Sequence, residues 1–144
     1  NRQNLFTSFE LRAHKAIKKE YQSFDDLSVI YLAELKKMFD DSIEYFDFSG
    51  FEWAGIPHIY HTPFYCYAYN FAQLMVVSLY ELFVKGGDSF KKKYLDLLKS
   101  GGNDSPENLL SKLGVDISKP DFWQRGFDFI ERRFLNELEN LLNE

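Results

Sequence analysis

FYCYAYNFAQLMVVSLY, residues 64–80, carries no charged side chain and spaces its apolar positions as a helix does rather than as a strand. It reads as the first part of a long helix over residues 64–84. A membrane span needs about 20 predominantly apolar residues. This run falls short of that and is interrupted by Tyr65, Tyr67, Tyr69, Asn70 and Gln73. The reading is therefore a buried central helix of a soluble protein, with polar groups that need partners or a cavity to face.

Helical spacing continues on both sides. Downstream, Gly86-Gly87 ends the long helix, and Asp88 or Ser89 caps the next, which carries Phe90, Tyr94, Leu97 and Leu98. Gly101-Gly102 terminates that one. Ser105-Pro106-Glu107 is a start signal: a capping hydroxyl, a proline at the first helical position and an acid in the first turn. Gly114 stops this short helix. Pro120-Asp121 opens the last, with Phe122, Trp123, Phe127, Ile130, Phe134, Leu138, Leu141 and Leu142 expected to face a core. Upstream, residues 3–21 place Leu5, Phe6, Phe9, Ala13, Ala16 and Ile17 on one stripe. Residues 25–46 do the same with Leu27, Ile30, Tyr31, Leu35, Met38 and Phe39, behind a cap at Ser23. Between residues 48 and 63 the periodicity fails, and Gly50, Gly55, Pro57 and Pro63 mark a loop. The fold class is all-α: one helical domain over residues 1–144.

Composition narrows the function. The chain is 45% hydrophobic, with fifteen Phe, nine Tyr and two Trp, enough to fill a core with rings. Its net charge of −5, and a basic run Lys91-Lys92-Lys93 confined to an amphipathic stretch, exclude a nucleic-acid footprint. The single cysteine, Cys66, permits no internal disulfide and favours an intracellular, cytoplasmic setting. No glycine-rich phosphate loop stands between a strand and a helix, so nucleotide chemistry is unsupported. The chain opens without methionine in what reads as mid-helix, as a piece of a longer protein would.

One segment concentrates chemistry. Residues 56–69, IPHIYHTPFYCYAY, hold two His and four Tyr in a loop and the first turns of the long helix. Such proton donors on a stiff apolar platform suit a site that holds a peptide and stabilises developing negative charge. The same residues also suit an aromatic helix start whose hydroxyls merely satisfy nearby carbonyls. His58 and His61, three apart, would share a helix face as metal ligands do, but the flanking prolines argue against a helix, and no Cys or acid close by completes a site. His14, among Arg12, Lys15, Lys18 and Lys19, reads as a surface residue. Cys66 reads as a small core side chain rather than a nucleophile.

The run Ile56-Pro57-His58-Ile59-Tyr60, then Pro63-Phe64-Tyr65-Cys66-Tyr67-Ala68-Tyr69, resembles a stretch near the C-terminus of the oligoendopeptidase F-type zinc metallopeptidases of family M3. So do Tyr94-Leu95-Asp96-Leu97-Leu98, Ser105-Pro106-Glu107-Asn108-Leu109-Leu110, Gly114-Val115-Asp116 and Pro120-Asp121-Phe122-Trp123, with Arg2-Gln3-Asn4-Leu5-Phe6 and Phe9-Glu10 at the start. The resemblance covers essentially the whole chain in one order. It implies the C-terminal portion of a helical catalytic domain with a channel for short peptides. It also implies zinc bound by a His-Glu-x-x-His helix and a later Glu, whose inner Glu serves as general base. None of the three histidines here begins that motif, so the ligands are expected N-terminal to Asn1. No metal ligand is assigned to this chain, and the chain alone is expected to be inactive.

By position, His58 and Tyr67 take the place of the family's oxyanion-stabilising His and Tyr. Tyr60, His61 and Tyr65 are expected in the substrate cleft, and Phe64 stands where relatives carry another Tyr. The implied partners are short peptides and the zinc-bearing N-terminal part of the same protein, with self-association through exposed apolar surface; neither nucleic acid nor membrane is among them. The competing reading is a non-catalytic helical interaction module that shares the peptidases' ancestry.

Overall fold

The computed structural model describes residues 2–143, and every described regular element is helical. In order these are α1 (Arg2–Ile17), α2 (Phe24–Phe39), α3 (Pro57–His61), α4 (Tyr67–Ser100), α5 (Pro106–Ser111), α6 (Pro120–Ile130) and α7 (Asn136–Leu142). Two 3₁₀ turns, Asp40–Ser42 and Ser49–Gly55, lie between α2 and α3, and a π-helical turn, Glu131–Leu135, joins α6 to α7. The all-α reading holds. By its contacts the chain forms two compact units, one ending at Phe71 and the other beginning at Ala72, within α4.

In the first unit α1 buries Leu5, Phe6, Phe9 and Ala13, the stripe that its spacing marks. Ile17, at the end of the same stripe, is exposed. A full capping box starts α2: Ser23 Oγ accepts from the Asp26 amide, and Asp26 returns the bond to the Ser23 amide. Asp25 and Asp26 in its first turn and Lys36 and Lys37 in its last both complement the helix dipole. The two helices close over Trp53 from the second 3₁₀ turn. Phe9 meets Tyr31 edge-on at 5.2 Å and Trp53 at 5.6 Å, and the indole N–H donates to Ser28 Oγ at 3.0 Å. α2 ends at Phe39, short of the expected residue 46, where Asp40 turns to a positive φ of 46°.

The segment expected to be a loop contains α3. Pro57 does not prevent that helix, because it occupies the first turn, where its missing N–H has no helical partner to lose. The long helix begins at Tyr67 rather than residue 64, because Phe64 sits in the left-handed region at φ 60°, which no α-helix accommodates. It is also not one straight rod. Gly87, at φ 57° and ψ −140°, breaks it into residues 67–86 and 88–100; a side chain there would clash with its own backbone.

The second unit packs Leu79, Leu110, Leu113, Val115 and Phe122 into a smaller core. Ser105 caps α5 with Pro106 behind it, and Trp123 Nε1 donates to the Ile117 carbonyl at 2.8 Å. Gly126 of α6 lies so close to α4 that a Cβ would stand 2.5 Å from Leu74 Cδ1 and 2.6 Å from Ser78 Oγ. Two sequence expectations fail here. Of residues 72–84, only Ser78, Leu79 and Glu81 are buried, so α4 is not a buried central helix. Of the stripe expected to bury the last helix, Phe127, Phe134, Leu138, Leu141 and Leu142 are exposed, and Ile130 is half-buried. No helix among the described residues is long and apolar enough to cross a membrane.

Candidate functional site

The chemistry-bearing segment folds as α3, a tight turn over residues 62–66, and the first turns of α4. Its anchor is Cys66, fully buried among the residues of the first core. Burial, with the Glu10 carboxylate adding to it, pushes the Cys66 thiol above its ordinary range, so it stays a protonated core group and not a nucleophile.

Around this anchor the segment is held by α1. Glu10, 1% exposed, accepts the Phe64 amide on Oε1 at 2.8 Å. That bond secures the Phe64 amide, whose left-handed backbone costs on the order of 1–3 kcal/mol in a non-glycine residue. His14 packs its ring on Phe64 at 4.7 Å from the other side. Asn70 Nδ2 donates to Asn4 Oδ1, fastening the start of α4 to α1.

On this support stands a cluster of three rings. His58 Nε2 and Tyr69 Oη are 3.1 Å apart. The imidazole lies parallel to the Tyr65 ring at 6.1 Å and edge-on to Tyr69 at 5.9 Å, while Tyr65 and Tyr69 meet edge-on at 5.3 Å. Partial desolvation, with Tyr65 and Cys66 adding to it, raises the Tyr69 hydroxyl above the usual phenol range, so it remains a protonated donor. Tyr60 points its ring at Trp53, 6.4 Å away, and desolvation raises its hydroxyl as well.

The structure thus places His58 beside Tyr65 and Tyr69. It does not join His58 to Tyr67. Tyr67 is 58% exposed, and its hydroxyl has no partner among the described residues. Two helical positions separate Tyr67 from Tyr69, which turns their side chains about 200° apart around the axis. His61 is exposed at the end of α3. His14, read as a plain surface residue, is exposed but packs against the turn. Spacing offered signals for the two groups that sequence reasoning missed. Tyr65 and Tyr69 are four apart, and Glu10 is an acid inside the apolar stripe of α1.

A metal site can be tested on the donor set. His58 and His61 do share a helix, contrary to the sequence expectation, but no group of three or more His, Cys, Asp or Glu among the described residues is placed to hold an ion. The residues present do not fit the zinc that the M3 resemblance implies.

Comparison with known proteins gives a consistent answer. The sequence profile of Peptidase family M3 matches residues 1–129. Group B oligopeptidase PepB of Streptococcus agalactiae is 33% identical over 142 residues, covering 98% of this chain and 23% of that protein. The plasmid oligoendopeptidase F of Lactococcus lactis subsp. cremoris is 31% identical over 144 residues, 99% of this chain and 24% of its own length. Oligopeptidase PepF of Bacillus subtilis is 32% identical over 142 residues, 98% of this chain and 21% of its own length. The chain therefore spans about a quarter of the length of the curated relatives that it matches. No solved structure matches it. The match to the M3 profile over most of the chain, on a helical framework that carries the His58 segment, makes this protein a member of peptidase family M3.

Proposed function

We propose that the chain is the substrate-binding side of a zinc oligoendopeptidase's catalytic domain, and that His58 and Tyr67 donate hydrogen bonds to the scissile carbonyl of a short peptide. The metal would be held by a part of the protein N-terminal to Asn1. No step here runs through it. The observation that carries the reading is the presentation of the two donors: a half-buried imidazole braced by Tyr65 and Tyr69, and an exposed phenol with no partner of its own. His58 and Tyr67 are not in contact, and the reading requires a bound peptide carbonyl to be reached by both.

The physical basis is differential. A phenol O–H and an imidazole N–H bind a neutral carbonyl weakly and the oxyanion of a tetrahedral intermediate strongly, so they favour the transition state over the substrate. Tyr60, His61 and Tyr65 would line the cleft beside them. The apolar stripe exposed on α6 and α7 would dock against the rest of the protein or a second copy. That stripe equally suits a non-catalytic interaction module, which the family's upstream His-Glu-x-x-His sequence, read in the same frame, would rule out.

The test is His58→Ala and Tyr67→Phe in the intact protein, assayed on short peptides. Loss of one oxyanion donor costs on the order of 3 kcal/mol, or roughly 10²–10³ in kcat. Zinc content should be unchanged in both. Turnover within twofold of the parent in both variants would leave these residues as packing.

A further inference from the structure

The contact between His58 and Tyr69 constrains which nitrogen of the imidazole can act. Nε2 is engaged by Tyr69 Oη at 3.1 Å, whereas Nδ1 has no hydrogen-bond partner among the described residues. A neutral imidazole carries one proton. If Nε2–H donated to the phenol, Nδ1 would hold a lone pair and repel a developing oxyanion. If the phenol donates to Nε2, the proton sits on Nδ1 and faces outward as a donor. Two further features hold the phenol beside the imidazole. Tyr69 is the third residue of α4, in the turn that follows buried Cys66. Tyr65, edge-on to Tyr69 and parallel to His58, closes the third side and holds both rings in register.

We infer that Tyr69 is a positioning residue: its hydroxyl donates to His58 Nε2, locking the Nδ1–H tautomer and the ring orientation that the reaction uses. The inference rests on the oxyanion role proposed for His58. Tyr69 itself touches no substrate in this arrangement. It acts as a second group that orients a catalytic histidine, as a carboxylate does in other hydrolases.

The test combines kinetics with a spectroscopic signature in the intact protein. Tyr69→Phe removes the hydroxyl and keeps the ring, so the aromatic cluster survives; equal far-UV circular dichroism and melting temperature check that. Loss of one neutral hydrogen bond should lower kcat by roughly 3- to 10-fold, with KM within twofold. The tautomer is read from the ring nitrogens of His58 by nitrogen-15 NMR on protein labelled at histidine, the signal assigned by its loss in His58→Ala. The expected result is Nδ1–H in the parent and a mixture of tautomers in Tyr69→Phe. A parent with the proton on Nε2, or a variant with an unchanged tautomer, overturns the inference even if turnover falls. The underlying reading fails separately: if His58→Ala keeps full turnover, the oxyanion role is gone whatever the tautomer shows.

Discussion

Three elements meet at the centre of the first unit, where Phe9 of α1, Tyr31 of α2 and Trp53 of the second 3₁₀ turn pack ring against ring. The second unit has no such centre. Its buried set is mostly aliphatic, and Phe127, Phe134, Leu138 and Leu141 stand 54–63% exposed along its last helices. An apolar stripe is buried only when another element arrives to cover it. In the first unit the covering pieces come from within about fifty residues of chain; in the second, the stripe stays mostly exposed among the described residues. The contrast also explains where the candidate site lies. A group of polar rings can be held in place only on the better-filled unit, where Glu10, His14 and Cys66 fix the turn beneath them.

The contrast breaks most directly at matched phenylalanines. Phe9→Ala removes a ring that is 2% exposed and should cost about 3–5 kcal/mol, from lost transfer energy plus the cavity left between Tyr31 and Trp53. Phe127→Ala, at 55% exposure, should stay within about 0.5 kcal/mol. Urea denaturation followed by circular dichroism measures both, and Trp53 fluorescence in a Trp123→Phe background reads the first unit alone. Comparable losses in the two variants would mean that the stripe of the second unit is covered after all.

A smaller effect sharpens the comparison in the opposite direction, at a tightly packed place in the second unit. Gly126→Ala puts a methyl group 2.5 Å from Leu74 Cδ1 and 3.1 Å from the Leu74 carbonyl oxygen. The backbone atom cannot yield as a flexible side chain can, so about 1–3 kcal/mol is expected from overpacking. Gly55→Ala in the first unit meets nothing within 4 Å and should be close to neutral. Thermal melts of the two variants check this. A neutral Gly126→Ala would show that α6 and α4 separate at little cost.

Much of this was legible beforehand, for identifiable reasons. Helical spacing marked the faces of α1 and α2, and Ser23, Ser105 and Pro106 marked helix starts, because both signals are local. Cover is not local. The stripe through Phe127, Phe134 and Leu138 has the same spacing as a buried one, and nothing in the spacing reports that its partner is missing. The start of α4 was misplaced because the left-handed turn at Phe64 depends on Glu10, more than fifty positions away. The segment that carries these rings stood out by its composition, whereas the stacking of His58 on Tyr65 was not read from the sequence. The pairing of His58 with Tyr69 depends on where α3 ends relative to α4, which no spacing rule supplies.

The finest comparison is between two of the buried carboxylates, Glu34 in the first unit and Glu81 in the second. Glu34 is 4% exposed; burial works to raise its pKa, but the hydroxyl of Ser8 at 2.5 Å and the Arg12 guanidinium outweigh that, with Lys37 assisting. Glu81 is lowered by hydrogen bonds from Lys85 at 2.9 Å and Arg132 at 3.0 Å, both well exposed. Each group therefore titrates below the ordinary carboxylate value of 4.5 in the folded protein. The sign follows: the stabilisation is fully present above that ordinary value and is lost as pH falls through the lower, folded one. Glutamine at either position should weaken the protein at pH 7 and flatten its loss of stability on acidification. The flattening should be larger for Glu34→Gln, because one of its donors is a neutral hydroxyl held at short range, whereas both partners of Glu81 are solvent-screened cations. Denaturation midpoints between pH 7 and pH 3 measure the difference. An acid limb of the same steepness in the parent and in Glu34→Gln would show that this carboxylate, despite its burial and its partners, contributes nothing pH-dependent to the first unit.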